Sequence, residues 1–229
     1  IKEYKLMGIN EATKQIHFPN NFEDYNKART RLVFEELLIM QLALLTFKTN
    51  YDKDKKGISF STDAKMSEII DSLPFKLTNA QSRVLEEIDK DMESKKTMNR
   101  LLQGDVGSGK TVIAFIAIYA NYLSKYQSAL MAPTEILAGQ HYEDALKIFS
   151  KYKLKIAFLT SSTSAKDKKE IYDNLELGKI DLIIGTQALI QDRVKFKKLG
   201  LVVTDEQHRF GVNQRNSFKG KGISPDVLS

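Results

Sequence analysis

Two rhythms of apolar and polar residues run along this chain, and they change over near Pro74. From Tyr25 to Lys48 the apolar residues Leu32, Val33, Phe34, Leu37, Leu38, Ile39, Met40, Leu42, Leu44 and Leu45 recur at helical spacing and cover more than one face. An amphipathic surface helix needs a single apolar stripe, so this one is expected to be sandwiched, against a domain outside this chain. Residues 1 to about 23 are mixed and polar and read as a connector, with an extended Gln15-Ile16-His17-Phe18-Pro19 and an Asn20-Asn21 turn. A charged loop, Tyr51 to Gly57, leads to a short helix over 64–72, which ends at Leu73-Pro74 because the residue before a proline is pushed out of helical geometry.

Beyond Pro74 helices alternate with short apolar strands. Thr78 is placed to cap a helix running to about Glu93. Strands are expected over 100–103, 128–132, 155–159, 181–184 and 199–204. Helices are expected after Lys110, from Thr134 to about Phe149, and over 165–177. Such alternation predicts an α/β fold with mostly parallel strands joined by crossover helices, and ligands bound at the strands' carboxyl ends.

One stretch sits in that frame with a definite chemistry. Gly104-Asp105-Val106-Gly107-Ser108-Gly109-Lys110-Thr111 fits G-x-x-x-x-G-K-[ST] at every fixed position, between an apolar strand and a helix. Its glycines let successive N–H groups turn inward around phosphates, and Lys110 adds a point charge. Thr111 can place its hydroxyl on Mg²⁺, and the helix it opens aims a positive dipole end at the same anion. A second element, Leu201-Val202-Val203-Thr204-Asp205-Glu206-Gln207-His208, is an apolar strand ending in two carboxylates. In a nucleotide hydrolase Asp205 can hold Mg²⁺ and Glu206 can orient or deprotonate the attacking water.

Composition narrows the picture slightly. The chain has 229 residues, enough for one large domain with an appendage. It has no cysteine, which excludes disulfides and cysteine-based zinc sites, and its three histidines are too scattered to suggest a metal site by spacing. The longest apolar run, Val112 to Ala120, is half a membrane span, so no membrane partner is expected. A net charge of +6 leans toward a polyanionic partner. His141, in Gln140-His141, reads as part of a helix-surface pair.

The D-E-x-H after an apolar strand, downstream of the phosphate loop, resembles the superfamily 2 helicases and translocases. With Ala132-Pro133-Thr134-Glu135-Ile136-Leu137-Ala138, Gly185-Thr186-Gln187-Ala188-Leu189-Ile190 and Asp205-Glu206-Gln207-His208-Arg209-Phe210-Gly211-Val212, the likeness is to the RecG family of bacterial branched-DNA helicases. The Mfd family of transcription-repair translocases shares much of the pattern, and Gln207 and Ser108 favour the RecG side. A nucleotide-dependent DNA-binding module that does not translocate is the reading from another class.

The resemblance implies a RecA-like ATPase domain using ATP and Mg²⁺. It assigns Lys110, Asp205, Glu206 and His208 to catalysis, with His208 coupling ATP to DNA, and Thr111 and Asp205 to Mg²⁺. It assigns Gly104 to Thr111 to the nucleotide phosphates, Gln81 to the adenine edge, and Phe75 to stacking nearby. Pro133, Thr134, Gly185 and Thr186 would grip a DNA backbone through N–H groups and hydroxyls, without reading sequence. The implied partner is branched DNA, and the implied location is the bacterial cytoplasm at the nucleoid. The expected organisation is a linker over 1–74 and the first motor domain over 75–229. A wedge domain before residue 1 and a second, arginine-bearing motor domain after Ser229 are expected to complete the protein.

Overall fold

The structure, a computed structural model, describes residues 4–53, 58, 66–205 and 225–229, and the side chains of 47–53 lie outside the description. The chain forms two compact units, Ile1–Asp54 and Lys55–Ser229.

The first unit holds α1 (Ile9–His17) and the 32-residue α2 (Phe22–Lys53). The residues expected to be a connector thus include a helix. Its contacts explain why the pattern hid it: α1 packs on α2 through the fully buried Ala12 and Ala28 and through Gln15, rather than through large apolar side chains. The Gln15 Oε1 accepts the backbone N–H of Asn20 at 2.9 Å, so the buried amide also shapes the turn between the helices. Asn21 Oδ1 then accepts the Asp24 N–H at 2.8 Å, satisfying a donor of the first turn of α2. The apolar residues of α2 that suggested a sandwiched helix, Val33, Leu37 to Met40, Leu42, Leu44 and Leu45, are exposed.

In the second unit α3 (Met66–Ser72) buries Ile69 against α5 (Lys110–Leu123). The compact unit therefore begins upstream of the 74/75 boundary expected from sequence, because α3 belongs to its core. α4 (Asn79–Glu93) precedes β1 (Asn99–Arg100). After α5 come β2 (Gln127–Met131), α6 (Glu135–Ile148), β3 (Ile156–Leu159), α7 (Ala165–Glu176), β4 (Leu182–Gly185), a 3-10 turn (Gln187–Ile190), β5 (Leu199–Thr204) and β6 (Asp226–Leu228). The six strands make one sheet in the order β1-β6-β5-β2-β4-β3, and every pairing is parallel. This is an α/β fold with an all-parallel sheet, the RecA-like fold expected from the sequence, and a helical segment precedes it in the chain.

Alternate residues of the central strands enter opposite cores. Leu130, Leu182, Ile184, Leu201 and Val203 join one cluster with α4 and α5, while Ala129, Met131, Ile183 and Val202 join another with α7. Both faces of the sheet are buried, as parallel sheets require. α5 is apolar all round and buried from Ile113 to Asn121 for the same reason.

At the amino edge of the sheet the buried Gln127 makes four hydrogen bonds. Its Nε2 donates to the carbonyls of Leu175 (3.1 Å) and Ile180 (2.7 Å), and its Oε1 accepts from the N–H groups of Lys197 (2.8 Å) and Lys198 (3.0 Å). The strand expected over 100–103 is shorter than its apolar run. Its ladder continues past Arg100 only through the Leu102 N–H, which donates to the Ser229 carbonyl at 2.6 Å.

Candidate active site

The carboxyl ends of β1 and β5 place the phosphate loop and Asp205 around one cavity of about 680 Å³. It is lined by Gln103, Gly104, Val106, Gly107, Lys110, Thr111, His141, Thr204, Asp205 and Ser229, with Ala114, Leu130 and Val203 forming an apolar floor. Gly109 is the residue before α5 and has φ +82°, a left-handed conformation that side chains disfavour. A Cβ there would also collide with the Gln81 amide. Lys110 folds over the loop and donates from Nζ to the carbonyls of Gly104 (2.7 Å) and Asp105 (2.8 Å), so a cation is held at the centre of the turn.

Gln81 reaches this loop from α4. Thr78 caps the helix by accepting the Gln81 N–H at 3.2 Å, and Gln81 Oε1 accepts the Thr78 N–H at 2.8 Å, the reciprocal capping pair. Its Nε2 donates to the Ser108 carbonyl at 3.0 Å, which joins the helix start to the phosphate loop. Phe75 is half exposed and lines a different groove of about 770 Å³, with Ile70, Leu73, Leu85 and Glu86, between α3 and α4. The structure thus brings Gln81, the loop, Thr111 and Asp205 together and leaves Phe75 in a separate groove.

Asp205 is fixed at both ends. Its backbone N–H donates to the Met131 carbonyl at 2.9 Å, and its Oδ2 lies 2.8 Å from His141 Nε2. His141 is therefore not a surface residue: its side chain is 12% exposed and points from α6 toward the end of β5. A sequence signal for this exists, since Ala138, His141 and Ala145 follow a helical i, i+3, i+7 stripe and both alanines are fully buried. Glu206 and His208 lie outside the described residues, as does the rest of the Glu206 to Val212 motif.

The other sequence-predicted residues sit on neighbouring strand ends. Thr134 follows β2, is exposed, and caps α6 by accepting the Leu137 N–H at 3.3 Å. Glu135 beside it accepts the hydroxyls of Ser161 (2.8 Å) and Ser162 (2.9 Å), and these bonds hold its carboxyl below the usual range. Pro133 is half-buried before the cap. Gly185 ends β4 against the Leu159 backbone, where a Cβ would strike the Leu159 carbonyl oxygen, so only glycine fits. Thr186 is buried, 8% exposed, and its N–H already donates to Leu159 O at 3.3 Å.

The sequence of the DEAD/DEAH box helicase family matches residues 78–221, from the cap of α4 through the phosphate loop and Asp205. The chain belongs to the DEAD/DEAH box helicases. Within this helicase family it is 53% identical over 229 residues to the ATP-dependent DNA helicase RecG of Bacillus subtilis, covering 99% of this chain and 33% of that protein. It is 49% identical to the ATP-dependent DNA helicase RecG of Thermotoga maritima, covering 100% of this chain and 29% of that protein. The chain spans about a third of the length of these relatives. A solved structure of RecG bound to a three-way DNA junction superposes with a TM-score of 0.84 at 48% identity, over 100% of this chain and 31% of that one. Among the described residues no helix is long and apolar enough to cross a membrane.

Proposed function

We propose that this chain is the first motor domain of an ATP-dependent DNA helicase that remodels branched DNA. The observation that carries the reading is the shared cavity of Lys110, Thr111 and Asp205 at the carboxyl ends of β1 and β5. A polyphosphate needs inward N–H groups, a cation and a hard oxygen-bound metal in one place, and this cavity offers the residues for each.

The donors suit Mg²⁺. Among the described residues no cluster of three or more acidic, histidine or cysteine side chains exists, so an all-protein cage is absent there. Mg²⁺ is commonly held by one or two protein oxygens plus phosphates and water, which is what Thr111 and Asp205 provide. Bound there, the ion would neutralise charge building on the phosphate oxygens. Lys110 exchanges its two loop carbonyls for phosphate oxygens, Gln81 reads the adenine edge beside the loop, and Phe75 borders that side. In this reading Glu206 orients or deprotonates the water, and His208 takes the coupling to DNA that the family resemblance implies.

Thr134 with Pro133, and Thr186 with Gly185, hold a DNA strand by its phosphates through hydroxyls and the positive end of α6. That mode is blind to base sequence, and branched structure is selected by other parts of the full-length protein. Residues 75–229 act as the motor, with α3 packed onto it, and the upstream helices link it to a wedge domain. A second motor domain supplies the arginine that stabilises the transferring phosphoryl group.

The test is a pair of variants of the full-length protein. Lys110→Ala is expected to lose Mg·ATP binding, and Glu206→Gln to keep binding while losing DNA-stimulated turnover. Undiminished nucleotide affinity in folded Lys110→Ala would overturn the assignment of the loop.

A further inference from the structure

The ATP-site reading uses Asp205 but leaves unassigned a side chain that the structure sets against it. We propose that His141 is a positioning residue for Asp205, donating from Nε2 to fix the direction in which the carboxylate meets the metal. This inference rests on the nucleotide-site reading above.

The geometry is specific. The Nε2 to Oδ2 distance is 2.8 Å, and a carboxylate that meets a metal can only accept, so in this proposal Nε2–H is the donor. The imidazole is 12% exposed and the Asp205 side chain 36%, so the donor is sheltered and the acceptor faces the cavity. The Met131 carbonyl already places the Asp205 backbone, so the bond from His141 acts on the side-chain torsion, the degree of freedom that decides where the oxygens point.

Imidazole is also a suitable donor by charge. A lysine or arginine at this place would neutralise the carboxylate and compete with a cation for it. An imidazole N–H orients the oxygen without the permanent charge of those side chains, the division of labour seen where outer groups hold metal-binding carboxylates. The platform is stiff enough to matter. α6 is pinned at its start by the Thr134 cap and by Glu135 bonded to Ser161 and Ser162, and Ala138 and Ala145 bury it on either side of His141. Seven residues separate Thr134 from His141, roughly 10 Å along one helix.

The measurement is binding of a fluorescent non-hydrolysable ATP analogue to the full-length protein as Mg²⁺ is titrated, with binding in excess EDTA as the metal-free reference. His141→Ala is expected to raise the Mg²⁺ midpoint about tenfold or more while leaving the metal-free affinity within twofold. His141→Gln, whose amide N–H reaches a similar place, is expected to return to within about threefold of wild type. His141→Asn is too short and should resemble alanine. Should His141→Ala fail to fold, the contrast between the Asn and Gln variants decides the question.

An unshifted midpoint in a folded Ala or Asn variant overturns the proposal, and so does a Gln variant impaired as much as the others. Lys110→Ala, measured in parallel, separates the two readings. If it loses nucleotide while His141→Ala keeps a normal midpoint, the positioning role alone fails. If it binds nucleotide normally, the nucleotide site itself fails.

Discussion

The carboxyl edge of the sheet carries two chemistries side by side. Over β1, β6 and β5 it is charged and concave: Lys110 lies over a loop of turned-in backbone and Asp205 faces the same cavity. Over β2, β4 and β3 it is lined by hydroxyls, with the Thr134 cap, Ser161 and Ser162 around the single carboxylate of Glu135, and Thr186 packed behind Gly185. In the proposed function the difference would let one sheet address two polyanions. A compact triphosphate with a metal calls for charge concentrated in one cavity, whereas a long nucleic-acid backbone calls for donors spaced along it. α6 spans the two halves, with Thr134 on one side and His141 reaching Asp205 on the other.

The sharpest way to break this comparison is Lys110→Ala. Hydrogen bonds to charged groups contribute about 1.5–3 kcal/mol each, so losing two phosphate contacts should weaken Mg·ATP on the order of a thousandfold, read by calorimetry. The melting temperature should move little, and affinity for DNA should stay within a few-fold. Equal losses of nucleotide and DNA would show that the halves are not separate.

The strands of the charged half carry a pH-sensitive group at their amino ends. Asp226 on β6 is 1% exposed, and burial pushes its carboxyl up to about 7, with the nearby Asp91 adding to the shift and the Met98 N–H bond opposing it. An unfolded aspartate titrates near 3.9, so between about pH 4 and 7 the folded state holds the extra proton. Stability is therefore complete below pH 4 and falls as pH rises toward 7. At about 1.4 kcal/mol per pH unit the loss amounts to roughly 3–4 kcal/mol. Asp226→Asn should flatten that slope in denaturant melts at pH 5 and pH 8, and an unchanged slope would remove Asp226 as its source.

Thr134→Ala tests the hydroxyl-lined half. Loss of an N-cap should cost about 1 kcal/mol of stability and weaken DNA several-fold for every sequence tried, with nucleotide affinity nearly unchanged. A loss confined to particular sequences would contradict phosphate gripping. The smallest effect concerns salt: wild-type DNA affinity should fall with ionic strength, and Thr134→Ala should lower the affinity without changing the slope, because the lost donor is uncharged. A shallower slope in Thr134→Ala would mean that a charge was lost with it.

What the sequence disclosed follows from how each element is stabilised. The phosphate loop and α5 were legible because fixed glycines precede a run that is apolar on all sides. β2, β4 and β5 were legible because strands buried on both faces read as continuous apolar runs. α1 was not, since its nine residues offer only Ile9, Ala12 and Ile16 as an apolar stripe and its buried positions are Ala12 and the polar Gln15. β6, three residues long, inserts between β1 and β5, and neither its existence nor the strand order is encoded in local periodicity. His141 was misread because a histidine flanked by polar neighbours looks solvated, and only its partner 64 residues away reveals otherwise.

Gln127 gives the amino edge a mechanical character of its own. Its two donors and two acceptor positions are all occupied, by segments that lead out of α7 and into β5. No other side chain of that length could satisfy two carbonyls and two N–H groups at once, so this rim behaves as the clamped root of a cantilever. A ligand at the opposite, loop-bearing rim would therefore act against a sheet whose far end is already held.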